Sequence, residues 1–200
     1  MKRLILVAGP SCSGKTTFIA CIFAGNLQLM QSLGITNLAE WVSLEAKQLD
    51  KIELSDIRNL VLHYDLVQQY DTATDYRYIP GIFADYDDIM IITLVASPFF
   101  LLARNTWRLL NSLLDVLFRP SDRTRGMYRK LSTQWRREKL YLTKGMATSI
   151  YQDWLHYTED FAITRQLIFD TSGITSISRN ILNYTNLKLL PQHNSDFLLP

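Results

Sequence analysis

Apolar positions along this chain fall into short solid runs separated by longer amphipathic stretches. Residues 4–8 (LILVA), 60–65 (LVLHYD), 89–96 (IMIITLVA) and 166–169 (QLIF) are brief and almost uniformly apolar, the mark of strands buried on both faces. The stretches between them carry helical periodicity. After Lys15 the sequence TTFIACIFA predicts a helix that stops at Gly25-Asn26. Over residues 38–54, Leu38, Trp41, Val42, Leu44, Ala46 and Leu49 make a broad apolar face, which predicts another helix, with a further strand near residues 52–54. Ser97-Pro98 supplies an N-cap and a first helical residue for a helix reaching about Phe118 and ending at Pro120. Its expected inward face is Phe99, Leu102, Leu109, Leu110, Leu113 and Leu117, with a polar stripe of Arg104, Arg108, Asn111 and Asp115. Met127, Leu131 and Trp135, then Met146, Ile150 and Trp154, mark two more helices by their spacing of four. Ile174, Ile177, Ile181 and Leu182 mark a last one, capped by Thr171 or Ser172, before a loose tail over residues 191–200. Strand and helix alternate throughout, which predicts an α/β fold: a parallel sheet wrapped by helices on both faces, in one domain spanning residues 1–200.

Composition changes this picture little. At 200 residues and 48% hydrophobic, the chain can bury a core without staples. Net charge is +2, but residues 119–139 hold eight basic side chains against two acidic ones, a local +6. This segment, extended to about residue 145, reads as a basic helical lid. The two cysteines, Cys12 and Cys21, provide no disulfide framework, which points to a reducing, cytoplasmic compartment. Cys12 reads as a small loop filler, with a reactive thiol as the alternative. Residues 89–103 are apolar but too short for a membrane span and interrupted by Pro98, so no membrane partner is expected.

The candidate chemistry begins between the first strand and the first helix. Residues 9–16 read GPSCSGKT and match G-x-x-x-x-G-K-[ST]. A glycine-rich turn at a helix N-terminus can aim backbone N–H groups and the helix dipole at an anion. Pro10 has no N–H, so the cradle falls to Ser11, Cys12, Ser13, Gly14, Lys15, Thr16 and Thr17, with Gly9 at its entry. Lys15 would reach the β- and γ-phosphates and the Thr16 hydroxyl would hold Mg²⁺. Asp65 ends an apolar strand, where a carboxylate can hold the metal or its waters. Residues 70–88, with Asp71, Asp75, Asp85, Asp87, Asp88 and several tyrosines, read either as an acceptor-binding connection or as an acidic surface loop.

This set of features resembles the P-loop NTPase superfamily, and within it the layout of the small P-loop kinases: guanylate kinases, shikimate kinases and antibiotic phosphotransferases. The residues that carry the likeness are GPSCSGKT, the strand ending in Asp65, the basic segment, and the Asp170-Thr171-Ser172-Gly173 turn after the last main strand. The resemblance implies strand order 2-3-1-4-5, a lid supplying arginines, and an adenine site near that turn. It implies transfer of the γ-phosphate of ATP, with Mg²⁺, to a small hydroxylated acceptor; GTP is the alternative nucleotide. Arg123 and Arg125 are the candidate lid arginines, with Arg104 and Arg108 in reserve. Lys15, Asp65, Arg123 and Arg125 form the expected catalytic set, and Thr16 and Asp65 the metal set.

One alternative is a nucleotide-hydrolysing switch ATPase or GTPase. Thr143-Lys144-Gly145-Met146 begins like a guanine-reading sequence but lacks its acid, Leu66 stands where many motors carry a glutamate, and LSGGQ is absent. A further alternative is a nucleic-acid-directed kinase using the +6 segment as a phosphate track. It ranks lower because Trp135 and Trp154 fall on apolar stripes.

Overall fold

The computed structural model describes residues 1–51, 54–67, 78–118, 124–161, 163, 165–172 and 188–190. Its centre is a six-stranded sheet in the order β2-β3-β1-β4-β5-β6. The strands are β1 (Arg3–Gly9), β2 (Trp41–Glu45), β3 (Asn59–Asp65), β4 (Asp88–Val95), β5 (Arg165–Asp170) and β6 (Lys188–Leu190). Every pair from β2 to β5 is parallel, which agrees with the expected order; β6 adds an antiparallel edge that the sequence did not suggest. The helices are α1 (Lys15–Phe23), α2 (Leu27–Ser32), α3 (Tyr78–Ala84), α4 (Pro98–Phe118), α5 (Thr124–Leu142) and α6 (Met146–Glu159).

The two faces of β1 seed two cores, because successive side chains of a strand point to opposite sides. Leu4, Leu6 and Ala8 join Leu60, Leu62, Ile89, Ile91, Phe83, Ile150 and Trp154 on one side. Ile5 and Val7 join Val61, Met90, Ile92 and the inner face of α1, Phe18, Ile19 and Ile22, on the other. The Met146, Ile150, Trp154 stripe is borne out: Ile150 and Trp154 are fully buried in α6, and the Trp154 indole donates to Thr93 Oγ1 at 3.0 Å. Among the described residues, no helix is long and apolar enough to cross a membrane.

Several expectations need correction. The helix over residues 38–54 is instead a 3₁₀ turn at Leu38–Glu40, the edge strand β2, and a second 3₁₀ turn at Ala46–Lys51. Asn37 starts the first turn by accepting from Ala39 N. Trp41 and Leu44 pack inward while pairing with β3 outweighs the helical spacing, as happens where an aromatic and β-branched run meets an open sheet edge. Part of the 70–88 connection is helical: α3 buries Ile79, Ile82 and Phe83, and its Pro80 sits in the first turn, where a missing N–H costs nothing. Asp87 and Asp88 serve the fold, accepting from Lys2 N and the Arg3 side chain. Asp71 and Asp75, and the expected helix over residues 174–182, lie outside the described residues.

The largest departure is the α4–α5 hairpin. In α4 the inward line is Leu101, Asn105, Leu109 and Ser112, while Phe99 and Leu117 are 74% and 70% exposed. In α5 it is Gln134, Glu138 and Tyr141, and Trp135 is 52% exposed. Both helices are rotated from the expected apolar stripes because their shared seam is polar. Asn105 Nδ2 donates to Glu138 Oε2 at 2.5 Å and to the Gln134 carbonyl at 3.2 Å, and the Thr106 hydroxyl donates to Glu138 Oε1. A buried carboxylate is tolerated only when hydrogen-bonded in this way.

Candidate functional site

The site lies at the carboxyl ends of the parallel strands, where β1 runs into residues 9–14 and α1 begins. Gly9 leaves the sheet where no other residue fits. A Cβ there would stand 2.5 Å from Ser13 Oγ and 2.7 Å from the Leu94 carbonyl oxygen. Gly14, at φ 96°, makes the left-handed step into α1. Cys12 also has positive φ, 71°, the only described non-glycine residue that does. Its thiol is buried, lies 3.9 Å from Asn105 Oδ1, and is pushed up in pKa by burial. That is a filler's setting rather than a reactive thiol's.

Every carbonyl from Gly9 to Gly14 is engaged. Gly9 O accepts from Leu66 N and from Lys15 Nζ; Pro10 O accepts from Ser13 N and again from Lys15 Nζ, both amine contacts at 2.7 Å. Ser11 O accepts from the Tyr141 hydroxyl of α5 at 2.6 Å. Cys12 O accepts from Arg104 of α4 at 3.1 Å, and Ser13 O from the Thr171 hydroxyl after β5 at 2.9 Å. Gly14 O accepts from Phe18 N within α1.

Lys15 is buried, with its amine 3.8 Å from Asp65 Oδ1. Burial lowers its pKa, against the pull of Asp65. Asp65 pairs with Gly9 at the last rung of the β1–β3 ladder, which brings the strand-end acid to the loop as the sequence suggested. Its Oδ1 accepts from Val67 N at 3.1 Å, and its Oδ2 lies 3.5 Å from Arg137 of α5. Arg137 Nε is buried without a partner among the described residues, as is Ser13 Oγ. Thr16 is exposed and Thr17 partly so, at the start of α1.

The structure thus gathers Gly9, Ser11, Cys12, Ser13, Gly14, Lys15, Thr16, Thr17 and Asp65. Arg123 lies outside the described residues; Arg125 falls in the first turn of α5, and its side chain is not described. Arg104 is occupied with backbone: besides Cys12 O it donates to Thr171 O at 2.6 Å, and it lies over the Phe100 ring. Thr171 and Ser172 bind Ser13 O and Ser97 N through their hydroxyls. Sequence reasoning missed Arg137 and Tyr141. The usable signal was the polar line Gln134, Glu138, Tyr141 at spacing four and three, which matches Asn105 and Ser112 on α4.

His63 flanks the site on β3. Burial, reinforced by the nearby Lys15 charge, lowers its pKa to about 4, so it is neutral at neutral pH. Compared with models of protein families and with curated proteins, the chain finds no match.

Proposed function

We propose that this chain is a P-loop phosphotransferase that binds ATP and Mg²⁺ at residues 9–17 and passes the γ-phosphate to a small hydroxylated acceptor. The observation that carries this reading is the convergence of Lys15, Asp65 and Arg137 on a glycine-bounded turn at the N-terminus of α1. Cations and a helix N-terminus around one point are what an oligophosphate needs. Both groups suit the residues present. The Lys15 amine now held by Gly9 O and Pro10 O would turn to phosphate oxygens, whose charge offsets the burial that lowers its pKa. The exposed Thr16 hydroxyl and the Asp65 carboxylate would hold Mg²⁺, Asp65 through water, since Val67 N already takes one of its oxygens. Bound Mg²⁺ neutralises charge on the phosphates.

Phosphoryl transfer needs positioning and charge more than covalent chemistry, and an arginine facing the transferred group supplies part of both. Arg137 takes that role beside, or in place of, Arg123 and Arg125. Transfer is favoured over hydrolysis because Leu66, directly after Asp65, is buried and apolar and offers water no base. The adenine is assigned to the turn after β5, as the family layout implies.

The test is a screen of γ-labelled ATP against nucleosides, sugars, sugar acids and oligonucleotides, with Lys15→Ala as blank. Label on an acceptor in wild type alone supports the reading; label released only to water moves the protein to the hydrolase class. Asp65→Asn should raise the Mg²⁺ requirement, with partial rescue by excess Mg²⁺. A rate lost about 10²- to 10⁴-fold at all Mg²⁺ concentrations would make Asp65 the base instead.

A second reading, a nucleic-acid-directed kinase, gains from one observation. Trp135 is exposed and not part of the core, and Lys139 Nζ lies over its ring at 5.8 Å. A base could stack there while the basic segment tracks phosphates. Oligonucleotide binding that weakens steeply with salt and is lost in Trp135→Ala would favour it.

A further inference from the structure

The loop does not hold its shape by itself. Cys12 sits at φ 71°, a conformation that costs an L-residue with a side chain roughly 5- to 30-fold in population. What surrounds it explains how that state persists. The carbonyls of Ser11, Cys12 and Ser13 are each held from outside by a different part of the fold: Tyr141 of α5, Arg104 of α4 and Thr171 after β5. A trans peptide unit is rigid, and its N–H points opposite to its C=O. Fixing Ser11 O toward Tyr141 therefore turns the Cys12 N–H away from α5, and fixing Ser13 O toward Thr171 turns the Gly14 N–H away from β5. Ser13 N closes the turn on Pro10 O. The Tyr141 phenol keeps its proton, since burial raises its pKa well above the ordinary value, so it remains a donor.

We infer that Tyr141, Arg104 and Thr171 are positioning residues that hold the loop carbonyls outward and Cys12 in its left-handed conformation, so that the Cys12 and Gly14 N–H groups stay ready for an oligophosphate. This rests on the oligophosphate reading of the loop proposed above. It also makes α5 a coupling element: the helix that brings Arg137 to Asp65 brings Tyr141 to Ser11 one turn later. A shift of α5 would change the cation and the cradle together.

The inference separates from a general stabilising role because it predicts a suppressor. Tyr141→Phe removes the donor and keeps the ring, so affinity for inorganic triphosphate, measured by titration calorimetry, should fall about 3- to 10-fold. Cys12→Gly removes the penalty for positive φ, so Tyr141→Phe/Cys12→Gly should return to within about 2-fold of wild type. Thr171→Val should show the same loss, and serves if Tyr141→Phe does not fold. The double mutant's melting temperature should stay at or below that of Tyr141→Phe, since glycine gives up the buried Cys12 side chain and gains unfolded-state entropy, which offset the relief of φ. Wild-type binding with equal affinity in Tyr141→Phe and Thr171→Val overturns the inference and leaves the oligophosphate site standing, as does a loss that Cys12→Gly fails to repair. Absence of triphosphate binding in wild type overturns both.

Discussion

The turn between β1 and α1 and the hairpin of α4 and α5 are built on opposite principles. The turn lies in one contiguous stretch, and its two glycines have steric reasons that the sequence displays: Gly9 because a Cβ would meet Ser13 Oγ and Leu94 O, Gly14 because the chain steps into a helix through positive φ. The hairpin is assembled across distance and turns polar groups inward. Asn105, Gln134 and Glu138 fill its seam, while Phe99, Trp107, Leu114, Leu117 and Phe118 face out. A pattern of apolar residues reports burial only when the partner surface is apolar. In the hairpin the partner is a carboxylate and a backbone loop, so the same pattern points the wrong way.

The sharpest way to break this contrast is Gly9→Ala. Its Cβ would lie within 2.7 Å of a backbone oxygen that cannot yield, and a loss of about 3 kcal/mol or more in denaturant unfolding is expected. A loss below about 1 kcal/mol would mean that the loop is looser than its contacts suggest.

Next in size is the seam. Glu138→Ala removes one of the two acceptors of Asn105 Nδ2 and of the Thr106 hydroxyl, leaving them the Gln134 and Leu102 carbonyls, and should cost about 2 kcal/mol, whereas the paired replacement Asn105→Leu/Glu138→Leu should cost less than either single change. Additive losses in that cycle would contradict a coupled polar seam.

His63 extends the comparison to pH. Its folded pKa, about 4, lies below the ordinary 6.5, so the unfolded chain takes up the proton first. The stability this contributes is fully present above pH 6.5 and is lost as pH falls from there to about 4, by at most about 3 kcal/mol in total. His63→Phe should flatten that part of the stability-against-pH curve, and an unchanged slope would assign it to other groups.

The smallest effect belongs to the outer face of α4. Leu114→Gln and Leu117→Gln should each change stability by no more than about 0.5 kcal/mol. Losses of about 2 kcal/mol would restore the apolar face expected from periodicity.

What could be read in the sequence divides along the same line. The strands β1, β3, β4 and β5 were legible as solid apolar runs, and the residues 9–16 as a motif between a strand and a helix. Asp65 was legible because it ends such a run, and strand pairing then placed it opposite Gly9. β2 was not, because an edge strand with one neighbour needs only Trp41 and Leu44 buried, a spacing that a helix shares. Tyr141, Arg104 and Thr171 act through the backbone carbonyls of a loop 92 to 158 positions away, and no local pattern announces such a partner.

The central claim is that residues 9–17 bind an oligophosphate, and titration of wild type and Lys15→Ala with ATP and Mg²⁺ tests it most directly. On the proposed reading Lys15 supplies charge for phosphate, and it is not a member of either apolar core. Wild type should therefore bind ATP, and the variant, still folded by circular dichroism, should bind at least about 10²-fold more weakly. Equal affinity in the two proteins, or no ATP binding by a folded wild type, would contradict it.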